Sequence, residues 1–547
     1  MGGISDKLRS AVADKAFELK VLHGAGIVEP MRPDRAAKIG ATFLRWGASP
    51  ATGVATAAIH HPHELAIVDE RGSLTWERLQ RRTNALADSF ARMGIGYGDG
   101  VGVMCRNHRG FVETTLAAAK LGASALYLNT MFAGPQLVEV TKREAPKALV
   151  YDSEFAGLLE GVDDSVIRIV AWEDGGDPEA TTLEQLIAAG SEADHKPPPD
   201  KPRFVILTSG TTGTPKGAQR SSPDGLMSIA SLIDKIPYRS RSTMMIAAPL
   251  FHSWGFFHFV MSLPTASTMV LRRRFDPEAT LQAARESKAN VLAAVPVMIQ
   301  RILTLPEETL ASYKLPDLQI TALSGSALPG ELAIAWMDRF GDNVYNLYGS
   351  TEVAYATVAV PEDLRAAPGT AGKPPRGTTV RILDENGQDV PQGGTGRIFV
   401  GNEMSFEGYT GGGGKEAIDG LLCSGDVGHI DSAGRLFIDG RDDEMIVSGG
   451  ENVFPREVED LLADHEAVVE VAVIGVEDEE FGQRLKAFVV SKDGVDVSDD
   501  DLKAHVKANL AGYKTPREIE FLDELPRNAT GKILKKDLRA RETPQSA

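Results

Sequence analysis

Cysteine is almost missing from this chain. Cys105 and Cys423 are the only two in 547 residues, and neither has CxxC or Cys/His zinc spacing. A disulfide framework and a structural zinc site are therefore both excluded. Long apolar runs are missing too: nothing approaches the roughly 18 residues of a membrane span. The opening MGGISDKLRSAVADKAFELK lacks the apolar core of a secretion signal. Positive charge is in deficit, with 58 Lys and Arg against 76 Asp and Glu and a net charge of −18. Such a field repels phosphate backbones and argues against non-specific nucleic-acid binding. There is no internal repeat. What remains is a soluble protein, expected in the reducing cytoplasm and long enough for several domains.

What is present is concentrated first in one string. Residues 207–217 read LTSGTTGTPKG and follow the strand-like run PRFVIL. Gly210, Gly213 and Gly217 let backbone N–H groups approach an anion, Thr208, Ser209, Thr211, Thr212 and Thr214 offer hydroxyls, and Lys216 adds a positive charge. Such a loop suits phosphate, hence a nucleotide. It is not the GxxxxGK[ST] loop, because Pro215 stands where the second glycine belongs and Gly217 where Ser or Thr would hold magnesium. That excludes an ordinary NTPase. A flexible linker fits less well, since linkers rarely follow a buried strand or carry one lysine between Pro and Gly.

Around this loop, residues 65–345 alternate apolar strand-like runs (GVGVMC, KALVYD, NVLAAV) with helical stretches such as LTWERLQRRTNALADSFARMG, the pattern of stacked βα units. Between about 370 and 440 short strands and turns take over, with a hairpin signal at Asn386-Gly387. After Arg441 comes a helix primed by Pro455, then strands and a further helix. The expected fold is α/β: an N-terminal extension over 1–55, a large domain over 56–441 containing the small β subdomain, and a compact α+β domain over 442–547. Residues 9–50 mix apolar and basic side chains, which suits a helix packed on its own domain or one resting on a membrane surface.

Four more strings follow the loop in order: APLFHSWGF at 248–256, NLYGSTE at 346–352, SGDVG at 424–428 with GRDDEMIVSGGENVFPREVE at 440–459, and PRNATGK at 526–532. Together with the loop, over about residues 60–540, they resemble the adenylate-forming superfamily of acyl-CoA synthetases, luciferases and peptide-synthetase adenylation domains. The resemblance implies two half-reactions: a carboxylate attacks the α-phosphate of ATP to give acyl-AMP and pyrophosphate, and a thiol then displaces AMP. Its cofactors are ATP, Mg2+ and CoA as a substrate.

The resemblance also assigns roles. Thr208, Ser209, Gly210, Thr211, Thr212, Gly213, Thr214 and Lys216 hold the phosphates, Thr351 donates to the α-phosphate, and Glu352 reaches magnesium, since an acidic group among phosphates needs a hard cation between them. Tyr348, beside Gly349, is the aromatic shelf under adenine, with Gly325, Ser326 and Ala327 on the other side. Asp426 and Arg441 grip the ribose, or form a salt bridge across the β subdomain, or both. His252 closes one wall of an acyl pocket that Trp254, Phe256, Phe257 and Ser350 continue, Trp254 and the two phenylalanines lining a tunnel or gate. Amino-acid-activating relatives usually carry aspartate at the His252 position, so the pocket suits a hydrocarbon acid. Lys532 is the lid lysine that bridges carboxylate and α-phosphate, while Lys535 and Lys536 behind it read as solvated. Asp443 is the hinge, with Asp442 the neighbouring alternative, and Gly449 and Gly450 lie on the CoA side.

Two departures stand out: Ser350 where many relatives have a larger apolar residue, and Leu421 in place of a common tryptophan. The leading expectation is a medium- or long-chain fatty-acyl-CoA ligase. Its rivals are a fatty-acyl-AMP ligase that loads a carrier protein and an inactive nucleotide-binding regulator. The partners expected are small molecules, without nucleic acid, and the N-terminal extension could serve membrane docking or homodimerisation.

Overall fold

The computed structural model describes the chain except residues 1, 175–179, 201–202, 209–215, 221–225, 405, 410–411, 413, 449–450, 479–481, 493, 529–530 and 543–547. Two predominantly parallel sheets carry the α/β part. The first has eight strands, in the spatial order Thr357–Ala359, Val344–Tyr348, Ile320–Leu323, Val291–Ala294, Thr243–Ile246, Thr268–Leu271, Leu65–Asp69, Gly72–Thr75. The second has seven, with Ser124–Tyr127, Gly100–Met104, Ala148–Asp152 and Ile167–Trp172 parallel. Its other edge is antiparallel, where Phe204–Thr208, Lys216–Arg220 and Phe406–Tyr409 pair in turn. Interior strands such as Ala148–Asp152 and Val291–Ala294 are buried along their whole length, as parallel strands covered on both faces must be.

Sequence chemistry accounts for the local boundaries. Helix Trp76–Arg92 starts where Thr75 Oγ1 accepts the Arg78 N–H at 3.2 Å, and the C-terminal helix Pro455–Ala463 has proline in its first turn. At the expected hairpin, Asp384 accepts the N–H groups of Asn386 and Gln388, and Gly387 takes φ 75°. The turn forms but is followed only by an isolated bridge from Leu383 to Asp389, and the next full strand is Gly396–Gly401.

A five-stranded sheet spans strands from Thr379–Leu383 to Leu436–Arg441, and another five-stranded sheet from Ile446–Ser448 to Glu518–Phe521 has its own core around Val458, Leu462, Val473 and Leu485. The N-terminal residues fold into three helices, α1 (Gly2–Gly24), α2 (Pro33–Trp46) and α3 (Pro50–His60). Helix α3 runs straight across residue 55. The extension is therefore continuous with the large domain, and Leu22, Ala25 and Val54 belong to the main core.

Candidate functional site

The strings that mark the sequence converge because most of them lie at strand ends. Strands Ile320–Leu323 and Val344–Tyr348 are parallel neighbours, with Leu323 opposite Asn346. Their carboxyl ends therefore deliver Gly325, Ser326 and Ala327 beside Tyr348 and Gly349, the place where open α/β sheets bind ligands. Gly325 has φ 92°, and a Cβ on Gly349 would strike the Ala354 carbonyl, so both strings need glycine for a tight backbone path. All five residues line one cavity of about 1460 Å³, together with His252, Thr351, Glu352, Asp426, Arg441 and Lys532.

Tyr348 donates its phenolic hydrogen to Asp426 at 2.5 Å, and Arg441, opposite Asp426 in a strand pair, reaches its other oxygen at 3.5 Å. Burial raises the Asp426 pKa, against the opposing pull of Tyr348, Arg441 and Lys532. Asp426 thus feels Lys532 across the lid. Burial also drives the Tyr348 hydroxyl well above its ordinary value, keeping it protonated as a donor. Both readings of the Asp426 and Arg441 pair are compatible with this arrangement.

Glu352 accepts Ser350 Oγ–H at 2.9 Å on one oxygen and Tyr409 O–H at 2.7 Å on the other. Among the described residues no Lys or Arg forms an ion pair with it, and an oxygen-only environment fits a hard cation such as magnesium. Ser350 also accepts the N–H groups of Glu352 and Val353. It lines the cavity, and its hydroxyl also shapes the turn that presents Glu352.

His252 is nearly buried, its Nε2 has no partner, and desolvation lowers its pKa to about 4. It is a neutral ring facing the cavity at the start of the helix Ser253–Ser262. Trp254 donates to the carbonyls of Ala294 at 3.1 Å and Ala322 at 3.2 Å and stacks on Phe257 at 5.5 Å. These bonds hold it against two strands, where it lines the cavity. Phe256 leans on Tyr127 and Phe204, and Phe256 and Phe257 both line the cavity.

Thr208 and Lys216 are opposite each other in two paired antiparallel strands, so the described ends of the phosphate-loop string lie side by side. Ser209, Gly210, Thr211, Thr212, Gly213 and Thr214 lie outside the described residues, as do the side chains of Thr208 and Lys216. Gly449 and Gly450 also lie outside them, and of Asp443 only the backbone is described.

That backbone forms the short turn Asp442–Glu444. On one side Arg397 of the β subdomain holds Asp442 at 3.0 Å; on the other Lys535 holds Glu444 at 3.1 Å and Glu459 at 2.8 Å. Lys535 is therefore not simply solvated: it is part-buried between two carboxylates, and although desolvation pulls its pKa down, Glu459 and Glu444 raise it on balance. Nearby, the lid string is docked on the large domain, where Gly531 (φ 77°) packs against Val297 and Gln300 donates to the Val469 carbonyl at 3.2 Å.

Sequence reasoning missed two residues here. Asn346 lies two positions before Tyr348 on the same strand, hence on the same face, and its Oδ1 is buried without a partner at the cavity. Strand alternation could have found it. Tyr409 is 57 residues from Glu352 and carries no local signal. Among the described residues one cluster has metal-like composition, Cys105, His108 and Asp152. Its atoms are already engaged: His108 bonds Asp152 at 2.7 Å and accepts the Gly110 N–H at 3.0 Å, while Asp152 accepts the Arg106 N–H at 2.9 Å. It is the buried cap of helix Arg109–Leu121.

Comparison with known proteins agrees with this geometry. The AMP-binding enzyme family matches residues 54–410, and the AMP-binding enzyme C-terminal domain matches residues 457–532. Feruloyl-CoA synthase from Amycolatopsis sp is 33% identical over 496 residues, 88% of this chain and 96% of the relative. The long-chain-fatty-acid–CoA ligase FadD13 of Mycobacterium tuberculosis is 29% identical over 476 residues, 85% of this chain and 92% of its own. The structure of ATP-bound MatB from Rhodopseudomonas palustris superposes with a TM-score of 0.79 at 28% identity, covering 88% of this chain and 96% of that one. Among the described residues no helix is long and apolar enough to cross a membrane.

Proposed function

The chain belongs to the family of AMP-binding, adenylate-forming enzymes, and from that premise we propose that it is an ATP-dependent ligase that joins a medium- or long-chain fatty acid to CoA. The observation that carries this reading is one cavity shared by His252, the aromatic helix Ser253–Ser262, the Tyr348 and Asp426 pair, and Lys532 from the lid. In the first half-reaction the acid's carboxylate oxygen attacks the α-phosphorus, forming the acyl phosphate bond as pyrophosphate leaves. In the second the CoA sulfur attacks the acyl carbon, the thiol proton is lost, and AMP leaves.

Each residue's part follows from its setting. Adenine lies between Tyr348 and the 325–327 backbone, with the unpartnered amide of Asn346 beside it. Asp426, fixed by Tyr348, accepts ribose hydroxyls next to Arg441. Neutral His252 adds no charge to the acyl pocket, so it orients the carboxylate by a hydrogen bond through its free Nε2. Lys532 supplies the charge that steadies the pentavalent phosphorus, with Thr351 and the loop carrying Lys216. Glu352, held by Ser350 and Tyr409, would hold magnesium, which when bound neutralises phosphate charge. Asp443, flanked by the Arg397 anchor and the Lys535 anchor, is the pivot about which residues 444–547 turn to admit CoA beside Gly449 and Gly450.

A carboxylic-acid panel scored for pyrophosphate release, with and without CoA, tests the reading. Long-chain acids should outrun acetate and amino acids, with AMP and the thioester formed only when CoA is present. Turnover confined to amino acids would overturn the substrate assignment. Acyl-AMP formation that CoA does not draw forward would favour transfer to a carrier protein.

A further inference from the structure

The catalytic cavity does not end at the aromatic helix. It continues past Phe257 and Val260 into a compartment whose far wall comes from the N-terminal helices and the bend after α1, including Leu22, Ile27, Val28, Ile39, Phe43 and Thr56. Only Thr56 of these lies inside the stretch that matches the family. We infer that the N-terminal helices are the distal wall of the acyl chamber, and that they set how large an apolar body the acid can carry. The inference rests on the acid–CoA ligase reading and adds the substrate's size class to it: a carboxylic acid with an apolar body longer than a single ring, either a long linear chain or a fused alicyclic system.

Three observations support a built chamber. First, the wall is anchored: Ala25 O accepts the Ser240 N–H at 2.7 Å, α1 packs on helix Met227–Lys235, and Gly53 sits so close to Leu263 that a Cβ there would crowd it. Second, the facing surfaces are mainly apolar, with Ile229, Leu232, Phe257, Val260 and Leu263 lining the cavity together with the extension, and Ser49, Thr52, His60 and His61 as the polar minority. Apolar matter there is drawn from water at about 25 cal/mol per Å². Third, the chamber reaches the surface at a rim of apolar side chains, since Val28 is 41% and Phe43 46% exposed while both line it. A water-filled cavity bounded this way is unfavourable, and a hydrocarbon tail continuous with a carboxylate at His252 is the occupant whose chemistry matches both ends.

The test is kcat/KM for linear acids from hexanoate to octadecanoate and for a fused-ring propanoic acid, on wild type and on two variants. Thr56→Phe fills the chamber from α3, and Phe43→Ser makes the rim polar at an exposed position where folding is safe. Each methylene lodged in the chamber is expected to raise kcat/KM about fourfold. Thr56→Phe should then cut the ratio of hexadecanoate to hexanoate by about tenfold or more, with Phe43→Ser acting in the same direction. A collapse confined to the fused-ring acid would identify the alicyclic class as the occupant. Ratios unchanged in both variants for both acid types would overturn the inference, and so would equal loss for hexanoate and hexadecanoate, which marks α3 as mere scaffold. Absence of pyrophosphate release by wild type with every acid would instead overturn the ligase reading beneath it.

Discussion

Gly531→Ala is the perturbation that most directly probes how the lid places Lys532. Residue 531 has φ 77°, and a Cβ there would overlap Cγ1 of Val297, a buried, β-branched side chain on helix Pro296–Leu303. Two costs follow. Alanine in a left-handed conformation loses about 1–2 kcal/mol, and restoring ordinary carbon–carbon contact requires the loop to retreat by about 1 Å or more. Asn528 accepts the Lys532 N–H at 2.9 Å and Arg527 and Ile533 form a bridge, so retreat of residue 531 carries Lys532 with it. A misplacement of about 1 Å costs roughly 100-fold in a positioned reaction. Single-turnover pyrophosphate release should therefore fall about 100-fold, while thioester formation from supplied acyl-AMP, for which the proposed pivot turns Lys532 away, should stay near wild type. Val297→Ala in the same chain removes the overlapping methyl and should restore part of the loss. Wild-type pyrophosphate release by Gly531→Ala, or equal loss in both half-reactions, would refute the reasoning.

Lys532→Ala should lower adenylation by about two to three orders of magnitude and spare the reaction of acyl-AMP with CoA, as separate half-reaction assays will show. Asp443→Pro fixes φ near −65° between the Arg397 and Lys535 anchors; it should keep a single turnover of pyrophosphate but lose thioester, and wild-type acyl-CoA synthesis would move the pivot elsewhere. Stability should fall on acidification from pH 6.5 towards 4. His252 and His258 are held neutral by burial with pKa values of about 4, so below 6.5 the unfolded chain takes up protons that the folded chain refuses, a loss of about 3 kcal/mol per histidine. Urea midpoints at pH 7 and 4.5 measure this, and His258→Gln should flatten the pH slope.

Some residues declared themselves in sequence because their work is local. Asn386-Gly387 forms its turn through Asp384 two positions away, and Pro455 starts its helix. The strings around Tyr348 and Gly325 could be read in isolation because each is a tight exit from a parallel strand, where glycine and a short hydroxyl residue are dictated by the backbone path. Other residues could not be read this way. Lys535 sits in a basic run that looks solvated, yet its partner Glu444 is 91 residues away, and only folding brings the two carboxylates that bury it. Ser350 lines the cavity as its place in the string suggests, but that its hydroxyl also reaches Glu352 emerges only from the folded turn.

The sequence by itself therefore determined the α/β class, the adenylate-forming family and the strings at strand ends that line the cavity, because those depend on contiguous strings obeying short-range rules. The tertiary structure alone decided that residues between Leu22 and Gly53 line the cavity, that Tyr409 steadies Glu352, that Trp254 is bonded to two strands, and that Asp443 stands between two anchors. The reason is chain crossing: such pairings join segments tens to hundreds of residues apart, and neither helical nor strand periodicity encodes which distant surface a side chain will meet.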